Sequence, residues 1–244
     1  MAVRDIRDQA MDLRRIVDSS RRSPAVISSL RSIAVLSGKG GVGKSNLSVN
    51  LALSMAEKGK RVVLLDADLG MANVDLLCGL TPRLTLAHIL RGESKLEDIL
   101  LPLGENVSVL PGGPGVRELA DVDENLLSAF IDSLSILEGM ADVLLIDTGA
   151  GIHKSIISFG SASDGVLLVT TPEPTSIRDA YGVLKALALA TAGRVDVTIV
   201  VNMASSPEEG RDVADRISAA ASQFLGLTPR YGGSVVRDEA VSLA

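Results

Sequence analysis

Residues 38–45 read Gly-Lys-Gly-Gly-Val-Gly-Lys-Ser, and this octapeptide is the most informative part of the sequence. It fits the phosphate-loop pattern Gly-x-x-x-x-Gly-Lys-Ser/Thr, in which main-chain N–H groups and a helix dipole surround phosphate groups. A short apolar run precedes it at 33–37, and apolar residues follow it at helical spacing through residue 58. A strand, a glycine-rich turn and a helix start in this order predict a nucleotide-binding site.

The octapeptide itself supplies the candidate ligands. We expect Lys44 to carry a point charge to the β and γ phosphates and Ser45 to offer its hydroxyl to Mg²⁺. Lys39 is a second lysine, at a position where an ordinary phosphate loop has an arbitrary residue. The alternative, a glycine-rich turn with a stray lysine, is disfavoured by the strand and helix on either side. The predicted nucleotide-binding residues are Gly38, Gly40, Gly41, Val42, Gly43, Lys44 and Ser45 of the octapeptide, together with Asn46, which follows it.

Length and composition favour a single α/β domain. The chain has 244 residues, and 46% of them are hydrophobic, which is enough for a full α/β core. Its one cysteine, Cys78, argues against disulfides, zinc held by cysteines and Fe–S clusters held within one chain. The sequence has no apolar run of the ~18 residues that span a bilayer, so we expect a cytoplasmic protein.

Charge is unevenly distributed along the sequence. Residues 1–31 hold seven Arg and four Asp, so the remainder is more acidic than the total charge of −6. Aromatic residues make up 2% of the sequence, too few for a base-stacking platform. Because the body of the protein is this acidic, we expect no direct binding to nucleic acid.

Beyond residue 32 the sequence alternates between strand-like and helix-like segments. This alternation, with apolar runs that lack a period of two, predicts a doubly wound, mostly parallel sheet with helices on both faces. Ligands of such sheets bind at the carboxyl ends of the strands. Besides the run before the octapeptide, the predicted strands are 61–66, 107–110, 142–147, 165–170 and 196–201, and the predicted helices are 44–58, 84–90, 122–138, 153–160, 175–191 and 208–224.

Polar residues stand at the ends of three predicted strands, where Asp66, Asp147 and Asn202 lie. Carboxylates near a phosphate loop suit the water shell of Mg²⁺, so Asp66 and Asp147 are predicted to bind the metal through water. Gly149 and Gly151 suit a mobile switch segment that approaches the γ-phosphate. The alternative is that the aspartates cap the helices that follow them, as Asp often does.

The first 23 residues form an arm that is separable from a predicted domain at 24–244. This arm is predicted to contain an amphipathic helix. An isolated helix as short as this one is marginal in water, so it needs a surface to lie against. That surface is either its own domain or the groove of a partner protein. One face of the helix carries four apolar residues at helical spacing, Ile6, Ala10, Leu13 and Val17.

Three of these motifs resemble those of the MinD/ParA ATPases. Residues 39–45 are similar to the deviant Walker A motif of that family, 66–68 to its second acidic motif and 147–152 to its Walker B segment. Within the family, residues 65–75 and 173–181 resemble the FlhG group of flagellar regulators, also called FleN or YlxH. The resemblance covers nearly all of the sequence from residue 32 onward.

The resemblance implies a slow, Mg²⁺-dependent ATPase that dimerises with ATP and releases its partner after hydrolysis. Its catalytic residues would be Lys39, Lys44 and Asp68. Lys39 would reach across the dimer interface to the nucleotide of the other subunit, Lys44 would hold the β and γ phosphates, and Asp68 would position the attacking water. Asn202 would contact adenine. The implied cofactors are ATP or ADP and Mg²⁺.

The arm resembles the activator helix by which FlhG proteins stimulate FlhF, a signal-recognition-type GTPase. Asp8, Gln9, Leu13 and Arg14 match that motif and would bind the partner, with Gln9 at the partner's nucleotide site. The implied partners are a second copy of this protein, an FlhF-type GTPase, and flagellar switch-complex proteins or a flagellar transcription regulator. Two alternatives stay open: a MinD- or ParA-type ATPase that positions the division site or another cargo, and a non-catalytic scaffold that senses nucleotide.

Proteins of this family usually end in an amphipathic helix that lies on the membrane. The present sequence stops at residues 241–244, where such a helix would begin. We therefore expect attachment to the inner face of the cell membrane only if the full protein carries that C-terminal helix.

Overall fold

A computed structural model describes residues 30–68, 73–90, 93–112 and 124–238. The predicted arm of residues 1–23, its boundary with the domain at residue 24, and the final residues 241–244 lie outside the described residues.

The described strands form an eight-stranded sheet in the order β3-β4-β2-β5-β1-β6-β7-β8. The pairs β2–β4, β1–β6, β6–β7 and β7–β8 are parallel, and β3 runs antiparallel to β4. The predicted mostly parallel sheet is therefore confirmed. The strands are β1 (Arg31–Ser37), β2 (Val62–Ala67), β3 (Leu101–Gly104), β4 (Val107–Leu110), β5 (Val143–Ala150), β6 (Gly165–Thr170), β7 (Val197–Ala204) and β8 (Arg230–Val236).

Helices alternate with these strands. The described helices are α1 (Lys44–Glu57), α2 (Val74–Leu77), α3 (Leu86–Leu90), α4 (Leu96–Ile99), α5 (Glu124–Ser133) with a 3-10 turn after it (Leu134–Leu137), α6 (Lys154–Ala162), α7 (Pro174–Thr191) and α8 (Pro207–Leu225). The six predicted helices match α1, α3, α5 with its 3-10 turn, α6, α7 and α8 to within two residues at each end. Within the described ranges, none of the helices combines the length and the apolar character needed to cross a bilayer.

Four short or irregular elements, α2, α4, β3 and β8, were not predicted from the sequence. The two helices have four residues each, too few to show a helical period. Strand β3 contains Pro102 and Gly104, and β8 contains Gly232 and Gly233. Both residue types are unfavourable inside a strand, and both strands lie at the ends of the sheet order, where proline in particular is tolerated.

The described residues divide into two compact units, one of residues 30–32 and 48–146 and one of residues 33–47 and 147–238. In the first unit, every residue of β2 is buried. In the second unit, α7 buries the apolar face that contains Val183, Leu184 and Leu187, all of them 0% exposed. Burying one such side chain fully contributes about 1.5–3 kcal/mol. Because buried apolar side chains occur in both units, each unit has an apolar core of its own.

Asp142 joins the starts of three strands in the first unit. Its carboxylate accepts hydrogen bonds from the main-chain N–H of Arg61, at 2.9 Å, and from the Arg61 guanidinium, at 2.8 Å. Its main-chain oxygen accepts from the N–H of Arg31 at 3.0 Å. The hydrogen bonds from Arg61 hold the pKa of Asp142 below its ordinary value. The ends of β1, β2 and β5 that lie away from the glycine loop are thus linked by one residue.

Close packing in the second unit predicts opposite effects for two helical glycines. A Cβ at Gly160 of α6 would lie 2.8 Å from Cδ1 of Leu36 and 2.9 Å from Cδ2 of Leu187, whereas nothing lies within 4 Å of a Cβ at Gly182 of α7. We expect Gly160→Ala to lower the free energy of unfolding by about 1–3 kcal/mol, because the extra methyl overpacks a buried site. The matched control Gly182→Ala should raise it by about 0.5–1 kcal/mol through helix propensity. Denaturant unfolding checks both values, and equal stability of the two variants would contradict this packing.

Candidate functional site

The glycine loop leads directly from β1 into the start of α1. Gly41 and Gly43 have positive φ angles of 76° and 84°, a backbone region that glycine enters at little cost. The carbonyl of Gly43 accepts a hydrogen bond of 3.0 Å from the N–H of Leu47, and α1 begins at Lys44, which is 8% exposed. A helix start with a lysine and a tight glycine turn is the arrangement that binds phosphate groups.

Two glycines of the loop leave no room for a side group. A Cβ at Gly38 would lie 2.2 Å from the peptide carbonyl carbon and oxygen of Asp179 in α7. A Cβ at Gly43 would lie 2.3 Å from Nδ2 of Asn202 in β7. The loop therefore approaches one helix and one strand more closely than any other residue type would allow.

Val42 holds the loop against the core of the second unit. Its side chain is 2% exposed and packs with Val35 of β1 and Val169 of β6. Its main-chain oxygen accepts a hydrogen bond of 2.8 Å from Nδ2 of Asn202. Contacts from both the side chain and the main chain of Val42 thus determine where the loop lies.

Asn202 lies inside β7, not after its end as the sequence analysis placed it. Its Nδ2 group donates to the carbonyl of Val42, and its Oδ1 accepts from the N–H of Met203 at 2.9 Å. Met203 has a φ of 57°, and the pairing of β7 with β8 changes register between Val201 and Ala204. The amide of Asn202 thus helps to hold the loop, and its contact with adenine stays a prediction.

Asp147 also lies inside its strand, β5, and is 1% exposed. The hydroxyl of the next residue, Thr148, donates to the carbonyl of Val35 at 2.9 Å, and the N–H of Gly151 donates to the carbonyl of Ser37 at 2.8 Å. These bonds attach the segment after Asp147 to β1, the strand that enters the glycine loop. Asp147 and the glycine loop thus belong to the same compact unit.

Of the two predicted switch glycines, Gly151 has a positive φ of 105° and Gly149 is part of β5. A positive φ at Gly151 gives the main chain a turn there that other residues rarely adopt. Their role as a switch stays a prediction.

Lys39 projects from the loop toward the start of α7. Its Nζ contacts a carboxylate oxygen of Glu173, and it lies 3.3 Å from the hydroxyl of Thr175. The side chains of Lys39 and Glu173 are 40% and 64% exposed. An ion pair with this exposure contributes little to stability, so Lys39 can exchange Glu173 for another partner at low cost.

Asp66 and Asp68 belong to the first unit. Asp66 lies inside β2 and is 1% exposed. Its Oδ1 accepts from the N–H of Asp68 at 3.2 Å, and its Oδ2 accepts from the N–H groups of Asn73 and Val74, both at 3.0 Å. Val74 is the first residue of α2. These bonds match the alternative that the sequence left open, in which the aspartate caps the helix that follows it.

The residues at the loop fit a nucleotide with its magnesium ion. A Cβ at Gly40 or Gly41 would meet nothing within 4 Å, so the main chain here is open to a ligand. Ser45, the last residue of the loop, and Asp147, inside β5, offer oxygen atoms, which Mg²⁺ prefers. Among the described residues, no cluster of three or more His, Cys, Asp and Glu residues could hold a metal ion.

Glu173 and Thr175 are site residues that sequence reasoning missed. Their contact with Lys39 joins positions more than 130 residues apart. A local signal was present, since Pro174 stands at the first position of α7, where proline is favoured, and so marks a helix start beside these two polar residues. That signal shows where the helix begins but not what it faces.

Solved structures of MinD proteins share this fold. The septum site-determining protein MinD of Pyrococcus horikoshii, solved with Mg-ADP, is 28% identical with a TM-score of 0.70, over 88% of this chain and 84% of that chain. A protein of the MinC:MinD cell division complex from Aquifex aeolicus is 27% identical with a TM-score of 0.69, over 87% and 84%. The fold and the glycine loop define a P-loop NTPase of the MinD/ParA class.

Two curated relatives are more similar in sequence. The antiactivator FleN of Pseudomonas aeruginosa is 44% identical over 212 residues, which are 87% of this chain and 75% of FleN. The flagellum site-determining protein YlxH of Helicobacter pylori is 37% identical over 205 residues, 83% of this chain and 68% of YlxH. A family model named ParA and described as the NUBPL iron-transfer P-loop NTPase matches residues 29–106. The chain belongs to the FleN/YlxH family, and the resemblance read from its motifs is confirmed.

The close approach of the loop to α7 predicts that two of its glycines differ in their tolerance of a methyl group. We expect Gly38→Ala to lower the free energy of unfolding by more than about 2 kcal/mol, because main-chain atoms of Asp179 would have to move. Gly40→Ala is the matched control, with open space around its Cβ, and should change stability by less than about 0.5 kcal/mol. Thermal unfolding of the nucleotide-free protein measures both, and a Gly38→Ala variant as stable as the parent would contradict the packing of loop on helix.

Proposed function

We propose that the protein is a switch ATPase that dimerises with ATP, regulates the number or placement of flagella, and stimulates an FlhF-type GTPase through its N-terminal arm. The observation that carries this proposal is the 44% identity to the antiactivator FleN over 87% of the chain, which includes the glycine loop. YlxH, a flagellum site-determining protein, points to the same process.

The loop would bind the phosphates of ATP. Its main-chain N–H groups lie beside a helix start, and Lys44 stands at the first position of that helix. Ser45 would hold Mg²⁺ directly, and the buried carboxylate of Asp147 would hold it through water. When bound, the ion neutralises charge on the phosphate oxygens. Asp66 is left out of this set because three main-chain N–H groups already bind its carboxylate.

Asp68 would position the water that attacks the γ-phosphate. A carboxylate can accept a hydrogen bond from that water and so orient its lone pair toward phosphorus. Asp68 follows the end of β2, and parallel strands of an α/β sheet present their carboxyl ends at the ligand-binding edge. Its place directly after the strand is what supports this role.

Lys39 would act in trans, at the nucleotide of the second subunit in an ATP-bound dimer. Its contact with Glu173 is exposed to solvent and therefore exchangeable. A positive charge brought to the phosphates by the other subunit would make the dimer bind ATP more tightly than the monomer does. ATP would then shift the equilibrium toward the dimer, and hydrolysis would reverse that shift.

Placement of the division site is a second candidate for the process that the switch regulates. The similarity to solved MinD structures favours it. The greater similarity to FleN and YlxH favours the flagellar role. Iron transfer is not proposed, because Cys78 is the single cysteine of the sequence. Attachment to the membrane through a C-terminal helix of the full protein stays a prediction.

The ATPase and dimer steps are tested together with two substitutions. We expect Asp68→Ala to lower kcat at least about 100-fold, because the attacking water loses its acceptor, while ATP still binds. This variant should be a dimer with Mg-ATP and a monomer with ADP by light scattering. Adding Lys39→Ala should return the Mg-ATP sample to monomer. A monomer in every state would remove the proposed role of Lys39, and undiminished turnover by Asp68→Ala would remove that of Asp68.

The flagellar role is tested by the GTPase rate of the host's FlhF-type protein, alone and with this protein. We expect stimulation by the parent and none by Gln9→Ala, because Gln9 is the arm residue assigned to the partner's nucleotide site. Gln223→Ala, at an exposed position of α8, is the matched control and should stimulate like the parent. If the parent hydrolyses ATP but stimulates nothing, the protein is a MinD/ParA-type switch with a different cargo.

A further inference from the structure

The carboxylate of Asp66 binds main-chain N–H groups on both sides of the segment that leaves β2. On one side it accepts from Asp68, two residues away, at 3.2 Å. On the other side it accepts from Asn73 and Val74, seven and eight residues away, at 3.0 Å each. One aspartate therefore joins the strand end, the candidate water-positioning residue and the start of α2.

These bonds fill most of the carboxylate's capacity. Two carboxylate oxygens offer about four lone-pair sites, and three of them are directed at main-chain N–H groups. Asp66 is 1% exposed, and a buried charge costs free energy unless hydrogen bonds compensate it. The three N–H groups supply that compensation. A carboxylate held in this way needs no metal-bound water to account for its burial.

The start of α2 depends on Asp66 because it has no cap of its own. Asn73 stands at the N-cap position, but its side chain makes no capping hydrogen bond. The first N–H groups of a helix have no acceptor within the helix, and here Asp66 accepts two of them. Val74 is 0% exposed, so its N–H lies where unmet hydrogen bonds are costly.

We propose that Asp66 is a positioning residue, which holds the main chain of Asp68 at a fixed place relative to the start of α2. It acts on hydrolysis through Asp68 and not through the magnesium ion. The proposal rests on the ATPase function proposed above. A catalytic group that is misplaced by as little as about 1 Å can lose about 100-fold in rate, so the carboxylate's bonds matter for turnover.

Hydrogen exchange of the nucleotide-free protein tests the bonds without any ATPase assay. In the parent, the amides of Asn73 and Val74 should be protected although they begin a helix. Asp66→Asn replaces one acceptor oxygen by an N–H donor, and we expect these amides to exchange at least about tenfold faster. Asp75→Asn is the matched control. Among the described residues, the one main-chain N–H that binds the Asp75 carboxylate is that of Leu76. That variant should leave the two amides unchanged.

Kinetics then separate positioning from metal binding. We expect Asp66→Asn to lower kcat roughly ten- to 100-fold at saturating Mg²⁺, with the half-saturating Mg²⁺ concentration unchanged. A raised Mg²⁺ requirement, with kcat restored at high Mg²⁺ and amide exchange like that of the parent, would overturn the proposal and return Asp66 to the metal site.

Two further outcomes are distinguishable. If Asp66→Asn fails to fold, hydrogen exchange of the parent protein is the test. Unprotected amides at Asn73 and Val74 in the parent would overturn the proposal. If the parent hydrolyses no ATP, the proposed function fails, while the exchange experiment still reports whether Asp66 holds the segment.

Discussion

The glycine loop lies where it does because Gly38 and Gly43 have no Cβ. Main-chain atoms of Asp179 in α7 and the side-chain amide of Asn202 in β7 occupy the space that a Cβ would need. This close approach brings the loop into contact with β7 and α7, and Val42 adds an apolar contact with β1 and β6. The start of α1, and Lys44 with it, is placed by these contacts. The phosphate site is therefore a consequence of packing as much as of loop sequence.

The two lysines of the loop differ in environment, and this difference suits two different tasks. Lys44 is 8% exposed at the first position of α1, where a helix dipole favours anions. This largely buried position suits a lysine that binds phosphate groups. Lys39 is exposed and contacts Glu173, so its partner can be exchanged. The proposed ATP-dependent dimer would use both lysines, Lys44 at the nucleotide of its own subunit and Lys39 at that of the second subunit.

Three polar residues near strand ends form one pattern in the sequence but have different partners in the structure. Asn202 donates to the carbonyl of Val42 in the loop. Asp66 accepts from main-chain N–H groups at the start of α2. Asp147 is buried beside Thr148, whose hydroxyl binds the carbonyl of Val35. A polar residue at this edge of a parallel sheet marks the ligand-binding side, but its partner depends on the segment that packs against it.

Local patterns in the sequence were enough to predict the glycine loop, the alternation of strands and helices and the mostly parallel sheet, because these features depend on neighbouring residues and on local periodicity. From sequence alone, β2, β5 and β7 are predicted to end at or before Asp66, Asp147 and Asn202. Strands β3 and β8 are not predicted, because glycine and proline in edge strands hide the pattern. The contact of Lys39 with Glu173 and the bonds of Asp66 at the start of α2 are seen only in the folded structure. Such hydrogen bonds join residues that folding brings together, and no local preference specifies the partner.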